Sequence, residues 1–514
     1  MDLNSSIAGV FSDVGVEFLN FGSIMTAKPK QPGPSRPPTR QEQKSAYRLS
    51  SSAPISPARL AAFHILLRVA TTSAHADDLL RDPAVSALPP LDRNLTTTLA
   101  MGVLRWQIAL DARIASLLHR PDEVLPVPVS IALRLGAFQL LHLDRIPAHA
   151  ALSESVELVR AANHPGAAAM VNAILRNLTR QPPGKARLYE SAAAFAQRLG
   201  HPLWLVSRWV QNYGRTAALT VCESGQREPA EGLLFPAEGA GKTPLNEPQE
   251  ASGGAQLLSG PEGPPAGETL LPIPLPQMDD GSRLVAELCA AAAGPRAGLE
   301  PMRIWDTCAA PGGKTLVLLR RHPDARILAS EANPRRLQSL TARLRDVLRA
   351  NGRERPTPRR VRTLHADACQ LPEREGLFDL ILCDVPCTGT GTLGRNPEIR
   401  HRLQPSDLPR QALRQGEILR AALGRLAPGG SLLYSTCSLE PEENEQVVSA
   451  VLAGNPTVTN PSLEPHLHRL FRDGILASLP LNLIRNGCLR TLPGVNFQGD
   501  GFFAALLHRD PALP

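Results

Sequence analysis

Apolar residues recur at intervals of three and four along the first part of the chain. Leu60, Phe63 and Leu67 follow this spacing after Pro57, and it is the spacing of one face of an α-helix. The same pattern returns in further segments up to about Gly225. Leucine and alanine stripes of this kind are ordinary helix cores, so residues 56–225 are predicted to form an all-helical domain.

A different pattern begins near residue 278, where short apolar runs alternate with helical stretches. The runs are Arg303 to Thr307, Arg326 to Ser330, Val361 to His365, Phe378 to Cys383 and Ser431 to Ser435. This alternation is typical of a doubly wound parallel sheet. Ligands of such sheets bind beyond the carboxyl ends of the strands. Residues 278–514 are therefore predicted to be an α/β domain with its site at the strand ends.

Two regions show neither pattern. Residues 1–55 are rich in Pro, Ser and Gln, and from Lys28 onward they carry six basic residues against only Glu42. That composition predicts a disordered basic arm, for which a solvated tail is favoured over a specific RNA contact. Residues 226–277 are rich in Gly, Pro and Glu, which predicts a connector or a reduced RNA-contacting subdomain.

Composition limits the class of protein. No apolar run approaches the roughly 18 residues of a membrane helix, and Val10 to Ile24 lacks the basic flank of a signal peptide. The eight cysteines contain no Cys-x-x-Cys pair, which favours a reducing compartment and argues against zinc. We expect a cytoplasmic protein with no metal and no membrane contact. The net charge of +7 favours a polyanionic partner such as nucleic acid.

A glycine-containing loop, Asp306 to Thr315, follows the first predicted strand and opens a helix. Glycines allow close approach of a ligand, and a helix N-terminus offers free N–H groups. A phosphate loop is excluded by spacing, because it would need glycine at Cys308. The second strand ends at Glu331, suited to accept from ribose hydroxyls, and the third at Asp367, placed to bind an adenine amino group. Together these features favour an S-adenosylmethionine site over a dinucleotide site.

Two cysteines follow the other strand ends. Cys387 lies three residues after Asp384, and Cys437 follows the fifth strand. Carbon C5 of cytosine becomes nucleophilic only when a group adds at C6, and a thiolate suits that addition. Asp384, protonated when it hydrogen-bonds N3 of the base, would absorb the developing charge. Burial as a small hydrophobe suits the remaining thiols better: Cys222, Cys289, Cys369, Cys383 and Cys488.

Five strings in the helical domain resemble the NusB-like RNA-binding domain, in the same order. They are Leu91 to Asn94, Gly102 to Arg105, Leu133 to Leu141, Arg145 to Ala150 and Val171 to Arg176. The resemblance implies an RNA-binding module with Arg105, Arg145 and Arg176 as candidate phosphate contacts. For each arginine, packing within the bundle is an open alternative.

Motifs of the second domain resemble the RNA cytosine-C5 methyltransferases. They are Asp306 to Thr315, Asp384 to Gly391, Arg395 to Glu398, Tyr434 to Asn444 and Asp500 to Phe503. Combined with the helical domain, they are similar to the bacterial members that act on 16S ribosomal RNA. The resemblance implies a class I, Rossmann-like fold and a monomer. It also implies methyl transfer from S-adenosylmethionine to a cytosine C5 through a covalent bond between cysteine and C6.

The family pattern also assigns roles to individual residues. It makes Cys437 the nucleophile, gives Cys387 a role in release and makes Asp384 the third catalytic residue. The cofactor-binding residues that it implies are Cys308, Ala309, Ala310, Pro311, Gly312, Gly313, Lys314, Glu331, Asp367 and Asp384.

The chain departs from the family pattern at two places. Leu233 to Pro236 stands where the family has Arg-Val-Asn, which leaves the RNA contacts of that subdomain in doubt, and Met278 replaces the glutamine before Asp279. Three other functions fit these residues less well. A DNA cytosine methyltransferase would lack the Thr436-Cys437 motif and the helical domain. A decayed RNA-binding assembly factor would have lost the glycines and cysteines, and a small-molecule methyltransferase would not need two thiols.

Overall fold

The computed structural model describes residues 55–121, 124–180, 191–228, 278–294, 300–350 and 360–511, with short pieces at 232, 234–236 and 275. The predicted basic arm, apart from residue 55, and nearly all of the predicted connector lie outside these residues. Both therefore stay predictions. Residues 50–514 belong to a single compact unit.

The helical domain is all-helical over its described residues, as the periodicity predicts. Its helices are α1 (Pro57–Thr71), α2 (Ala76–Leu80), α3 (Pro83–Ser86), α4 (Pro90–Ala115), α5 (Val127–His142), α6 (Ala148–Ala161), α7 (Ala168–Arg180), α8 (Ala192–Arg198), α9 (Leu203–Tyr213) and α10 (Arg215–Ser224). Side chains such as Phe63, Leu99 and Leu133 are buried in a shared core. This apolar core, more than intrinsic helix propensity, stabilises the short helices.

Helices α8 to α10 pack into a separate cluster. Phe195 and Trp209 are buried there together with Leu393, Leu439 and Leu492 of the second domain. The helical domain and the second domain therefore share part of their apolar core.

The second domain is built on a nine-stranded sheet with the order β3-β2-β1-β4-β5-β9-β8-β7, in which β6 also pairs with β9. Its strands are β1 (Arg303–Asp306), β2 (Arg326–Glu331), β3 (Val361–His365), β4 (Phe378–Asp384), β5 (Leu426–Thr436), β6 (Val458–Thr459), β7 (Ile484–Arg485), β8 (Cys488–Arg490) and β9 (Phe503–Arg509). The prediction of a parallel sheet is right for β1 to β5. The sheet continues beyond the five predicted strands, and β9 runs antiparallel to β5.

Helices cover both faces of this sheet. They are α11 (Asp280–Ala291), α12 (Gly313–Arg321), α13 (Pro334–Ala350), α14 (Ile399–Arg402), α15 (Asp407–Gly424), α16 (Glu445–Leu452) and α17 (Glu464–Arg472). Successive residues of β1 point to opposite faces, so Ile304 joins the core with α11 and α12, and Trp305 joins the core with α15 and α16. The predicted fold, a helical domain followed by a Rossmann-like domain, is confirmed. Among the described helices, none is long and apolar enough to cross a membrane.

A short basic segment of the second domain joins it to the helical domain. Arg400 and Arg402 donate side-chain hydrogen bonds to main-chain carbonyl oxygens of the helical domain, at distances that include 2.9 Å to Gly225 and 2.7 Å to Ala74. Glu398 lies 3.0 Å from His75, and this pairing raises the pKa of the imidazole. The joined segment begins at Glu398, eleven residues after Cys387, so the helical domain supports the chain that follows this thiol.

Candidate active site at the carboxyl edge of the sheet

The two cysteines singled out in the sequence meet at the ends of neighbouring strands. Asp384 at the end of β4 pairs in register with Ser435 of β5, which places the loops after both strands side by side. The Sγ atoms of Cys387 and Cys437 lie 3.2 Å apart, within hydrogen-bonding distance. Both cysteine residues are partly exposed.

Close approach of these loops depends on Gly391. Its N–H donates to the carbonyl oxygen of Cys437 at 2.9 Å. A Cβ atom at this position would lie 2.8 Å from that oxygen and 2.3 Å from the carbonyl oxygen of Gly501. Only glycine fits such a contact, and this explains the glycine four residues after Cys387.

Cys387 holds its proton firmly. The hydrogen bond with Cys437, burial and the charges of Cys437 and Glu443 together hold the pKa of Cys387 well above its usual range. Cys387 is therefore a neutral thiol in this site. A thiolate is the nucleophilic form of cysteine, so Cys387 is a poor nucleophile in these surroundings.

An ion pair lies beside the thiols. Lys314 Nζ is 2.8 Å from Asp384 Oδ2, and the Ser435 hydroxyl donates to Asp384 Oδ1 at 2.7 Å. Burial alone would lower the pKa of Lys314, but Asp384 and Cys437 raise it, so the ammonium group is retained. Asp384 thus lies in contact with an ammonium group and a hydroxyl group. Lys314 can supply the proton that we predict on Asp384 when this residue hydrogen-bonds N3 of the base.

The glycine loop between β1 and α12 leaves backbone open to a ligand. Gly312 has φ 97°, and a Cβ atom there would lie 2.7 Å from Leu340 Cδ1, so a side chain is excluded by both strain and contact. Beneath the loop, Asp306 accepts a hydrogen bond from Thr315 Oγ1 at 2.7 Å. Burial raises the pKa of Asp306 to about 7 and that of Cys308 to about 12. Cys308 is thus a neutral thiol.

Glu331 ends β2 with one free oxygen. Its Oε1 accepts from the N–H of Asn333 at 2.9 Å, but the buried Oε2 has no hydrogen-bond partner among the described residues and lies 3.6 Å from Arg336 Nη1. A buried polar atom without a partner is uncommon, and a ribose hydroxyl would satisfy it. Asp367 is exposed, and its Oδ1 accepts from the N–H of Cys369 at 2.9 Å. These residues fit a nucleoside cofactor.

The three candidate phosphate contacts of the helical domain have different surroundings. Arg105 is half-buried and donates from Nε and Nη2 to the carbonyl oxygen of Gly394, at 3.0 and 2.7 Å, so it serves the interface between the domains. Arg145 is exposed, and the exposed Arg176 donates to Asn172 at 3.2 Å. Only the last two present their charge outward.

Several residues that shape the site were missed. Glu443 is fully buried between the two cysteine loops, and Arg400 is buried at the domain interface. Both lie in or near quoted motifs, but nothing in the sequence reveals partners so far away along the chain. Within the described residues, no group of three or more His, Cys, Asp or Glu side chains could hold a metal ion.

Comparison with known proteins gives consistent similarities. A family profile described as 16S rRNA methyltransferase RsmB/F matches residues 298–508, and one described as NusB family matches residues 56–180. Ribosomal RNA small subunit methyltransferase B of Klebsiella pneumoniae is 33% identical over 82% of this chain and 93% of its own length. The probable ribosomal RNA small subunit methyltransferase B of Bacillus subtilis is 28% identical over 87% and 98%. A crystal structure titled PH0851 shares the fold, with TM-score 0.64 and 20% identity over 90% of this chain and 100% of that one.

Proposed function

Since this chain belongs to the 16S rRNA methyltransferase RsmB/F family and depends on S-adenosylmethionine, we propose that it methylates C5 of a cytosine in 16S ribosomal RNA. The observation that carries the proposal is the pair of thiols 3.2 Å apart beside Asp384 and Lys314. A methyltransferase acting on oxygen or on an exocyclic nitrogen has no use for two sulfurs at the reacting centre. Activation of an aromatic carbon requires a nucleophile and a helper for its departure.

In the first step, the Cys437 thiolate attacks C6 of the base, and an S–C6 bond forms. The electron pair of the C5–C6 double bond moves toward C5 and N3. Asp384 and its hydrogen-bonded partner Lys314 face this charge, and together they supply the proton that N3 needs. Fixed charges in a partly buried site stabilise a developing charge without having to reorganise.

Residues 308–314 with Glu331 and Asp367 would hold the cofactor, which supplies an electrophilic methyl group when bound. Glu331 binds the ribose hydroxyls through its free Oε2, and the backbone around Gly312 and Gly313 allows close approach. These residues orient the methyl group toward C5. Orientation of this kind converts a slow encounter into an intramolecular step.

Release is the task of Cys387. Once Cys437 has bonded to C6, Cys387 loses the hydrogen bond with the Cys437 thiol, which is the strongest influence that raises the pKa of Cys387. Cys387 can then ionise and accept the proton from C5. The electrons of the C5–H bond rebuild the C5–C6 double bond, the S–C6 bond breaks, and Cys437 leaves as a thiolate. N3 returns its proton to Asp384 and Lys314, so the product is neutral 5-methylcytosine.

The remaining expectations follow from the substrate. The helical domain contributes RNA affinity, the protein works in the cytoplasm where ribosomal RNA is assembled, and it acts as a monomer without a metal. Arg145 and Arg176 are the outward-facing contacts to the phosphate backbone.

Methyl transfer from labelled S-adenosylmethionine to unmodified 16S RNA tests the proposal, with the modified nucleotide mapped afterwards. We expect one labelled 5-methylcytosine with the full-length chain and none with Cys437→Ala. Cys222→Ala is the matched control, because Cys222 is buried in the α8–α10 cluster and should have no role in transfer. Label on another base, or at an exocyclic nitrogen, would refute the proposal.

A further inference from the structure

Glu443 ends the turn Pro441–Glu443 and is fully buried. Among the described residues, no arginine, lysine or histidine lies within ion-pair distance of it. All the donors to its side chain are neutral. Burial of an unpaired carboxylate is costly, and a well-packed apolar residue would stabilise the fold at least as well. Stability alone therefore does not explain a carboxylate at this position.

On one side, Glu443 holds the loop of Cys387. Its Oε1 accepts from the main-chain N–H of Thr388 at 2.9 Å, and its Oε2 accepts from the Thr388 hydroxyl. Gln415 of α15 donates to Oε1 at 2.9 Å and also to the carbonyl oxygen of Pro386 at 3.0 Å. The residues before and after Cys387 are thus both fixed by this carboxylate or its partner.

On the other side, Glu443 holds the loop of Cys437. The Ser438 hydroxyl donates to its Oε2, and Ser438 Oγ lies 3.2 Å from Thr388 Oγ1. The Tyr434 hydroxyl donates to the main-chain carbonyl oxygen of Glu443 at 2.7 Å. One carboxylate therefore connects the residue after the first thiol to the residue after the second.

From these contacts we propose that Glu443 is a positioning residue that sets the separation of the two thiols and places a carboxylate beside Cys387 before attack. The effect of Glu443 on catalysis rests on the proposed function. Its effect on the positions of the two loops does not depend on the substrate. Groups that face Cys387 are Cys437, Glu443 and the Tyr434 hydroxyl. Of these, Glu443 is the one that contacts both loops through its side chain.

Thiol reactivity in the full-length protein tests this without RNA. Each cysteine is alkylated with iodoacetamide under single-hit conditions across a range of pH and quantified by mass spectrometry. Because the Glu443 charge raises the pKa of Cys387, Glu443→Gln should move the alkylation midpoint of Cys387 to lower pH. Glu287→Gln is the matched control, since Glu287 is equally buried but pairs with Arg321 on another helix. An unmoved midpoint in Glu443→Gln would overturn the proposal.

Single-turnover methylation supplies the second measurement. A misplaced reacting group costs up to about 100-fold in rate, so Glu443→Gln should lose roughly 10- to 100-fold with little change in cofactor or RNA affinity. Thr388→Val and Ser438→Ala keep the carboxylate of Glu443 but remove a hydrogen bond to it. Both variants should methylate more slowly without a change in the alkylation midpoint of Cys387. They replace Glu443→Gln as the test if that variant fails to fold. Wild-type rates in all three variants would overturn the role. If the wild-type chain does not methylate RNA but the midpoint still shifts, the proposed function fails and the positioning role stands.

Discussion

Arg400 donates a hydrogen bond to the main-chain carbonyl oxygen of Arg105, 3.1 Å away in the helical domain. The same guanidinium group donates to the carbonyl oxygens of Gly200, Gly225 and Leu393 at 3.1, 2.9 and 3.0 Å. Burial lowers its pKa to about 9. One side chain thus satisfies backbone acceptors from three parts of the helical domain and one from the loop after Cys387.

Arg400→Met should therefore destabilise the protein, because several buried carbonyl groups lose their donor. We expect a loss of about 2–4 kcal/mol in the free energy of unfolding, measured by urea denaturation. Arg410→Met is the control. Arg410 is exposed, and in the described part of the chain its ion pair is with Asp407, three residues away, so its loss should cost at most about 0.5 kcal/mol. Equal stability of the two variants would show that the interface does not depend on Arg400.

Substitution of the cysteines separates attack from release. Cys437→Ala should abolish methylation and trap no RNA, because it lacks the nucleophile. Cys387→Ala should methylate once and stay covalently attached, because expulsion has lost its helper. A denaturing gel after incubation with RNA and cofactor distinguishes them. A stable adduct with Cys437→Ala and none with Cys387→Ala would reverse the two roles.

Glu331→Ala should weaken cofactor binding by about 1–3 kcal/mol, because the ribose hydroxyls lose their acceptor. Calorimetric titration with S-adenosylmethionine measures this. Glu287→Ala removes a buried carboxylate away from the strand ends and should leave the affinity unchanged. Wild-type affinity in Glu331→Ala would remove Glu331 from the cofactor site.

Arg145→Ala combined with Arg176→Ala should reduce the salt dependence of RNA binding. Each lost phosphate contact lowers the slope of log affinity against log salt by about 0.7–0.9, so the double variant should lose roughly 1.5. Filter binding at several salt concentrations gives the slope. Arg105→Ala should instead leave the slope nearly unchanged and lower the free energy of unfolding, because Arg105 donates hydrogen bonds to the carbonyl oxygen of Gly394. An unchanged slope in the double variant would move the RNA surface elsewhere.

Asp306 should make stability depend on pH. Its pKa is 3.8 in the usual case and about 7 when folded, so ionisation opposes folding and stability falls as pH rises from about 4 through 7. Asp306→Asn cannot ionise and still accepts from Thr315. The free energy of unfolding of the variant should exceed that of the wild type by an amount that grows as pH rises. We expect at most about 4 kcal/mol at pH 8, measured by urea unfolding. Asp111→Asn, at a half-exposed surface pair with Arg134, should show no such gain, and a pH-independent difference for Asp306→Asn would contradict the prediction.

Much of the site could be predicted from the sequence because parallel strands end at one edge of a sheet. That rule alone brings Cys387, Cys437, Asp384 and Glu331 to the same edge. It cannot reveal the partners of Glu443 or Arg400, since Gln415 lies 28 residues before Glu443 and Arg105 lies 295 before Arg400. No periodicity encodes such pairs.

The same limit applies to the antiparallel strands. Strands β7 and β8 span two and three residues, too few for a period-two pattern to emerge. The apolar run of β9 fits a buried helix as well as a strand until its neighbours are known. An arginine on a helix is equally ambiguous. The sequence leaves both a phosphate contact and packing open for Arg105, because an arginine suits either role.

The position of β9 has a consequence for biosynthesis. This strand pairs with β5, the strand that delivers Cys437, and also with β6 and β8, yet it is made after every other strand. Helices α1 to α7 can fold early on the ribosome, since their core is drawn from nearby residues. The strand before Cys437 keeps an unpaired edge until residue 509 has emerged. A nascent chain thus acquires these helices well before its reactive centre, because the strand before Cys437 is not fully paired until β9 has been made.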